Sequence, residues 1–511
     1  MSPCKNRLAL SLAYALFGCA SLGLAPRALA QQAPTPGAGA VERTATDLDT
    51  VTVTAQSREQ EVQDVPIALQ VVDARMLNDI AAEDLGDIDS FVPGLAVSSV
   101  QPTQPSFKLR GIETDDFGIG TDPAVGIFVD GVYGGRGGGV LLPFVDVERI
   151  EVLKGPQGTL FGRNTAAGAI SLITRRPQNE TEARARLRVG NYGKTYAEAM
   201  WNIPTGDNSA FRLNALVNHS DGWIEDGVTG EDLGGEDNWA TRAAWQVRAG
   251  DNTTAYLSWD HESLDQNGRP TTGVVPLPAF PGIPQAPADE DAYQDPRHLQ
   301  TFSDTDVSAE WRTFDGVSLI LDHSFGWSTM TSTTSWRQYD SLNQVEEDGT
   351  NRFDLYIDST NTESNESFYQ EFKFAGATER FDWVAGVSYF NEEAEQTSEV
   401  NTNTDTVDNI ARNMGLAPPE GLFGLTSGLA QMFGIPVNLM GQSWNEQFQN
   451  TLETTAYAAF GDVIWHATDR LNFTVGMRYT HDQKDFSWLN DHRTADGLDA
   501  QLALLGRDRV L

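Results

Sequence analysis

The sequence predicts a small α+β domain followed and surrounded by the antiparallel strands of a transmembrane β-barrel. Three observations point there. Between residues 183 and 511, segment after segment alternates apolar and polar residues with period two, the pattern of a strand with one face to lipid and one to a polar lumen. Short turns alternate with long polar connections. Before this region, residues 65–178 carry short mixed elements that end in "VERIEVLKGPQGTLFGRNTAAGAISLITRRP", two strand-like runs joined by a glycine-rich segment.

The chain opens on an export leader. Lys5 and Arg7 precede an apolar run from Leu8 to Leu24, and "APRALA" supplies small residues for cleavage after Ala30. The run is shorter than the roughly 20 residues a spanning helix requires. A rival lipoprotein cleavage at "LFGC", with Cys19 lipidated, fits poorly because of Phe17. Residues 31–48 are rich in Pro, Gly, Ala and Gln and can bury almost nothing, so residues 31–64 read as a flexible tail. Within it lies "DTVTVTA", a β-prone run with no partner nearby in sequence. It reads either as a first edge strand or as a strand offered to another protein's sheet edge.

From Pro66 onward, "IALQVVDARML" predicts a strand and "AAEDLGDIDSFVPG" a short helix closed by Pro93 and Gly94. "LAVSSV", "SFKLRGI" and "AVGIFVDGVY" follow as strands, separated by turn-rich segments. The glycines after Val152 do not have the spacing of a dinucleotide fingerprint, and no helix follows them. "RVGNYGKT" lacks the first glycine of a phosphate loop, since Arg188 stands there. Tight turns and close backbone packing against a surrounding wall explain these glycines better.

The wall segments are legible one by one. In "AFRLNALVNH", Phe211, Leu213, Ala215 and Val217 oppose Arg212, Asn214 and Asn218. In "TTAYLSWDHE", Ala255, Leu257 and Trp259 oppose Thr254, Ser258 and Asp260. "RLNFTVGMRYTH" sets Leu471, Phe473, Val475, Met477 and Tyr479 against Asn472, Thr474, Arg478 and Thr480. A soluble sandwich alternates likewise, so the connections arbitrate. Turns at 205–208, 249–252 and 467–470 are short, whereas 263–300 is long and polar. Trp201, Trp239, Trp245, Trp259, Trp383 and Trp465 near strand ends suit interfacial girdles. The segment 399–450, with little charge, reads as a partly helical lid or extra ligand surface.

Composition excludes other classes. Both cysteines, Cys4 and Cys19, lie in the leader, so the mature chain has no disulfide, thiolate metal site or cysteine nucleophile. Loss of Lys5, Arg7 and Arg27 takes the net charge from −37 to −40, a surface that repels nucleic acid. The seven histidines show no metal-ligand spacing, and no cofactor is expected.

"FKLRGIE", "AVGIFVDGVYGGR" and the long glycine-rich stretch resemble the plug domain of TonB-dependent outer-membrane receptors, and Asp49, Thr50, Val51, Thr52, Val53, Thr54 and Ala55 are similar to that family's TonB box. The resemblance covers Asp49 through Pro177; the barrel region shares the family's rhythm with weaker motifs. It implies a plug inside a 22-stranded barrel, the plugged class of transporter. Arg110, Gly111, Lys154, Gly155, Gly158, Gly162 and Gly168 would be plug framework. TonB, with its inner-membrane energising complex, would be the partner on one side, outer-membrane lipid would surround the wall, and a ferric siderophore would be the commonest ligand.

Ligand contacts would then come from the turn-rich plug segments, with Gln101, Gln104, Asp115, Phe117, Tyr133 and Arg136 as candidates. Cobalamin, glycans and plant phenolics remain alternative ligands. A signalling receptor would need an extra folded domain before the box, where residues 31–48 leave little room. A passive surface-binding protein would need neither box nor plug. The region 183–511 holds about 11 strand-like segments, half of the family's number, and lacks the family's terminal aromatic strand. The expectation from sequence is therefore a C-terminally truncated product.

Overall fold

The computed structural model describes residues 52–54, 58, 60–63, 65–272, 300–305, 308–468 and 470–506. The leader, residues 31–48, and Asp49, Thr50, Val51 and Ala55 lie outside them.

The inner domain begins with β1 (Thr52–Val53) and β2 (Gln60–Glu61), an antiparallel pair. It continues through β3 (Leu69–Asp73), α1 (Ala74–Asp79), β4 (Leu95–Ser98), β5 (Ser106–Leu109), β6 (Ile112–Glu113), β7 (Val125–Val129), β8 (Val132–Tyr133), β9 (Val147–Lys154) and β10 (Gly168–Thr174). Its central sheet has the order β3-β9-β10-β7-β8, with β10 parallel to β7 and the other pairs antiparallel. Alternation along β9 sorts its two faces. Ile150 and Val152 join Val72, Leu85, Ile88, Leu109 and Ile170 in the main core. Leu153 instead joins Val53, Phe128 and Ala169 on the opposite face.

The helix differs from the sequence expectation. It starts at Ala74, because the Asp73 side chain accepts the Met76 N–H at 2.7 Å and caps the first turn. That cap cuts short the strand expected to reach Leu77. The expected helix over 81–94 is a series of turns with one 3₁₀ turn at Asp89–Phe91.

The wall is one antiparallel sheet of eleven strands. Its members are β11 (Glu182–Val189), β12 (Thr195–Gly206), β13 (Ser209–Ser220), β16 (Glu236–Ala249), β17 (Thr253–Asn267), β19 (Ala309–Ser324), β20 (Thr329–Glu346), β21 (Asp358–Ala377), β22 (Phe381–Asn403), β23 (Ser443–Thr468) and β24 (Leu471–Asn490). Three short strands in the outer connections, β14 (Ile224–Asp226), β15 (Asp232–Leu233) and β18 (Gln300–Thr301), form a separate small sheet. The connection from β22 to β23 carries α2 (Thr404–Asn413) and α3 (Leu422–Met432), and α4 (Asp496–Leu504) follows β24. The segment expected to be partly helical is so. Among the described residues, no helix is long and apolar enough to cross a membrane.

The period-two reading places side chains as expected. Leu213, Leu257 and Trp259 are exposed on the outer face, whereas β24, at the edge of the sheet, is exposed on both faces, so Leu471 to Tyr479 do not discriminate. Arg212, Asn214, Asn218, Ser258 and Glu262 are buried on the opposite face, where Arg212 and Asn214 bind Asp146 of the inner domain. "GNYGK" forms the tip of the β11–β12 hairpin, a turn rather than a phosphate loop.

Two framework glycines show why bare backbone is required. Gly168 sits between β9 and β7 with φ +155°, and a Cβ there would lie 2.2 Å from the Leu153 carbonyl and 2.4 Å from Leu109 Cδ2. Gly162, at φ +86°, packs against the Arg478 guanidinium of β24. Gly168→Ala is expected to destabilise the inner domain by at least about 3 kcal/mol, from strain plus overpacking. Limited proteolysis of the domain within folded protein reads this, and wild-type resistance would refute it.

Candidate functional site

The inner domain presents different surfaces to the two ends of the wall. Short turns (207–208, 250–252, 325–328) mark one end, and the long connections, including the helical one, mark the other.

At the long-loop end, the segments after β4, β6 and β8 converge on a cavity of about 210 Å³. Gln101, Gln104, Asp115, Phe117 and Arg136 all line it. Tyr133 does not. Its ring is buried on the central sheet, edge-on to Phe390 at 5.4 Å, and its hydroxyl accepts from Asn164 Nδ2 at 2.7 Å, so the bulky ring serves the core. Phe117 is 57% exposed, an aromatic face open to solvent. A second cavity, about 380 Å³, lies between residues 81–102 and β12 to β19 and holds none of the six candidates.

The wall grips the cavity's loops by side chains far away in sequence. Gln101 Nε2 donates to Asn343 Oδ1 at 3.0 Å, and Thr103 N and Oγ1 donate to Glu310 at 2.8 and 2.7 Å. Gln396 Nε2 donates to the Phe117 carbonyl at 3.0 Å and its Oε1 accepts from Ile119 N at 3.3 Å. Arg312, 1% exposed at its side chain, donates to the carbonyls of Pro102, Gly138 and Leu141 at 2.7–2.8 Å while pairing Glu262 at 2.7 Å. Arg136 is likewise buried, 3.6 Å from Glu392 and 3.2 Å from the Thr121 carbonyl.

At the short-turn end, β1 is docked rather than free. The sequence suggested a strand without a local partner, yet Thr52 pairs with Glu61 and Val53 with Gln60. The Val53 side chain is fully buried beside Val65, Leu153 and Ala169, which makes the docked state apolar as well as hydrogen-bonded. Thr54 N donates to Glu151 Oε1 at 3.0 Å, and Arg149 Nε holds the same oxygen at 2.8 Å. Arg58 pairs with Asp462 of β23.

Framework residues divide. Lys154 Nζ donates to the Pro93 carbonyl at 2.8 Å and to Gln70 at 3.1 Å. Arg110 N closes a turn onto Gly94 O at 2.8 Å, followed by Gly111 at φ +81°. Gly155 takes φ +102° opposite Arg110. A Cβ on Gly158 would meet nothing within 4 Å, so close packing does not account for that glycine.

At the long-loop end, Asp304, Glu346 and Asp348 bring carboxylate oxygens within 4.8 Å of one another, the group among the described residues that could hold a metal ion. Histidine spacing carries no sign of it, because all three are carboxylates, Asp304 more than forty residues before Glu346 at the end of β20. Burial, then the Glu346 charge, pushes Asp304 up to about 7 and Asp348 up to about 8. Folded loops therefore hold these protons more tightly than the unfolded chain. Their contribution is fully present below the ordinary carboxylate range and is lost as pH rises through 7 to 8. Protection factors for the amides of 347–357, taken against the intrinsic exchange rate at each pH, are expected to be larger at roughly pH 5 than at pH 9 in metal-free buffer. Asp348→Asn should remove most of the difference; an unchanged pH response in that variant would contradict the assignment.

Residues 61–169 match the family described as "TonB-dependent Receptor Plug Domain". Over 283 residues the chain is 25% identical to the catecholate siderophore receptor Fiu of Escherichia coli K12, covering 54% of this chain and 35% of that protein. It is 28% identical over 195 residues to the vitamin B12 transporter BtuB of Vibrio vulnificus, covering 37% of this chain and 31% of that one. The alignments thus span about a third of these curated relatives. The ferric yersiniabactin uptake receptor FyuA of Yersinia pestis superimposes with TM-score 0.63 at 19% identity, over 84% of this chain and 60% of that one, a likeness of fold.

Proposed function

We propose that this chain, a TonB-dependent outer-membrane receptor by its plug domain and by the fold of its wall, takes up a scarce extracellular ligand, a ferric siderophore, at the cost of inner-membrane energy. It is a receptor and not an enzyme. One observation carries the reading: the same small domain bears a loop-lined cavity at the long-loop end and a docked β-strand at the short-turn end. Ligand in the cavity touches Phe117 and Arg136, whose loops are tethered to the wall by Gln396 and Glu392. Shifts there reach β7 to β10, and through Glu151 of β9 they reach Thr54. Release of β1 frees main-chain donors and acceptors for a strand of TonB, the β-augmentation mode of recognition.

Cobalamin is a second reading, supported by the similarity to a vitamin B12 transporter. Growth of a strain lacking the gene on a panel of ferric chelates, cobalamin and glycans, with and without this chain, tests both. Rescue on a ferric chelate alone is the expected result. Rescue only on cobalamin or a glycan would replace the siderophore reading.

A further inference from the structure

The cavity's charge says which kind of chelate it can hold, an inference that rests on the cavity being the ligand site. Its cation, Arg136, has an 8% exposed side chain and already faces Glu392 at 3.6 Å, whose side chain is also buried. Glu363, also lining the cavity, is buried beside it and accepts from Tyr339. Two further cations close to the cavity wall are committed as well: Arg163 and Lys484 both pair with Asp122, at 3.2 and 2.9 Å. Asp115 and Asp116, by contrast, are exposed at the rim.

The approach to the cavity has the same sign. Among the outer connections, 221–235 has five acids and no lysine or arginine, while 347–357 and 404–442 each have three acids and one arginine. What remains to contact a ligand is neutral: the amides of Gln101 and Gln104, Thr114, and the open ring of Phe117. Arg136 is itself buried, with its Nε turned to Glu392 at 3.6 Å. A ligand oxygen that reaches the guanidinium need not be anionic, because Glu392 already balances it.

We infer that the cavity selects an uncharged or cationic ligand offering neutral oxygen acceptors, which among ferric chelates means the hydroxamate class rather than the catecholate class. Each hydroxamate carries a single negative charge, so three of them neutralise ferric iron. Each catecholate carries two, leaving the tris-chelate an anion. Such an anion would meet Asp115 and Asp116 at the rim, with no uncommitted cation lining the cavity among the described residues, and like charges juxtaposed in a binding site suppress the wrong partner.

The test is equilibrium binding of radio-iron ferrichrome, an uncharged tris-hydroxamate, and of ferric enterobactin, an anionic tris-catecholate, to the detergent-solubilised full chain. Ferrichrome is expected to bind at least about tenfold more tightly. Asp115→Lys, at an exposed position, should narrow that ratio by about threefold or more, and the narrowing should fade in high salt. Phe117→Ala and Arg136→Gln should weaken ferrichrome. Tighter binding of ferric enterobactin, still lost in Phe117→Ala, would overturn the charge inference and leave the siderophore site standing. Failure of both chelates to bind, or binding indifferent to Phe117 and Arg136, would overturn the site itself and the inference with it.

Discussion

Val53→Pro is expected to reduce energised uptake at least about tenfold while leaving ligand binding at the cell surface intact. Proline removes the residue-53 N–H and forces Thr52 toward extended backbone, so a partner strand loses a ladder bond at the centre of the segment. The proposed ligand cavity lies at the opposite end of the inner domain and makes no use of β1. Proline also disturbs docking, because Val53 is fully buried and paired with Gln60. A second variant separates the two effects. Glu151→Gln weakens the hold on Thr54 N and on Arg149 but leaves the main chain of the segment able to pair. Uptake should survive in that variant and fail with Val53→Pro. Equal uptake in Val53→Pro and wild type, with the protein correctly assembled, would dispose of strand pairing as the coupling step.

Local chemistry made the wall legible and left the inner domain partly hidden. Lipid on one side and a polar lumen on the other force strict alternation, so the outward Leu213 and Leu257 and the inward Arg212, Asn214 and Ser258 could be read residue by residue. The inner domain is buried on both faces and has no such rule. There, one capping carboxylate, Asp73, decided where a helix began. Tyr133 illustrates the same limit: an aromatic next to a glycine-rich turn reads as ligand surface, yet the register of β8 against β7 turns it toward Phe128 and Phe390. Five of the six proposed contacts do share one cavity, because turn-rich segments between consecutive strands must gather at one end of a sheet. The groups that set its charge, Glu363 and Glu392, and its tether Gln396, lie more than two hundred residues further along the chain. No spacing rule could have joined them to it. The docked state of β1 was hidden for another reason: a two-residue pairing leaves almost no pattern in the sequence.

Removing Arg312 is expected to produce the largest loss of stability. Its guanidinium is the joint between wall and plug, donating to three plug carbonyls and to Glu262 of the neighbouring strand. Arg312→Ala leaves Glu262, itself 2% exposed, as an uncompensated buried charge, a change that costs about 3–5 kcal/mol. It also strips donors from the Gly138 and Leu141 carbonyls, each worth about 1 kcal/mol or more when left unmade. The two contributions can be parted. In Arg312→Met combined with Glu262→Leu no charge is stranded, and replacement of a buried pair by apolar residues of similar volume is near neutral. The double variant should therefore recover the wall's thermal stability. It should not recover the plug's grip, because the three carbonyls still lack their donor, and residues 101–141 should remain open to protease. Protease resistance equal to wild type in both variants would show that Gln101, Thr103 and the other tethers hold the plug without Arg312. Loss of wall stability in the double variant as deep as in Arg312→Ala would instead place the cost in packing, not in the stranded carboxylate.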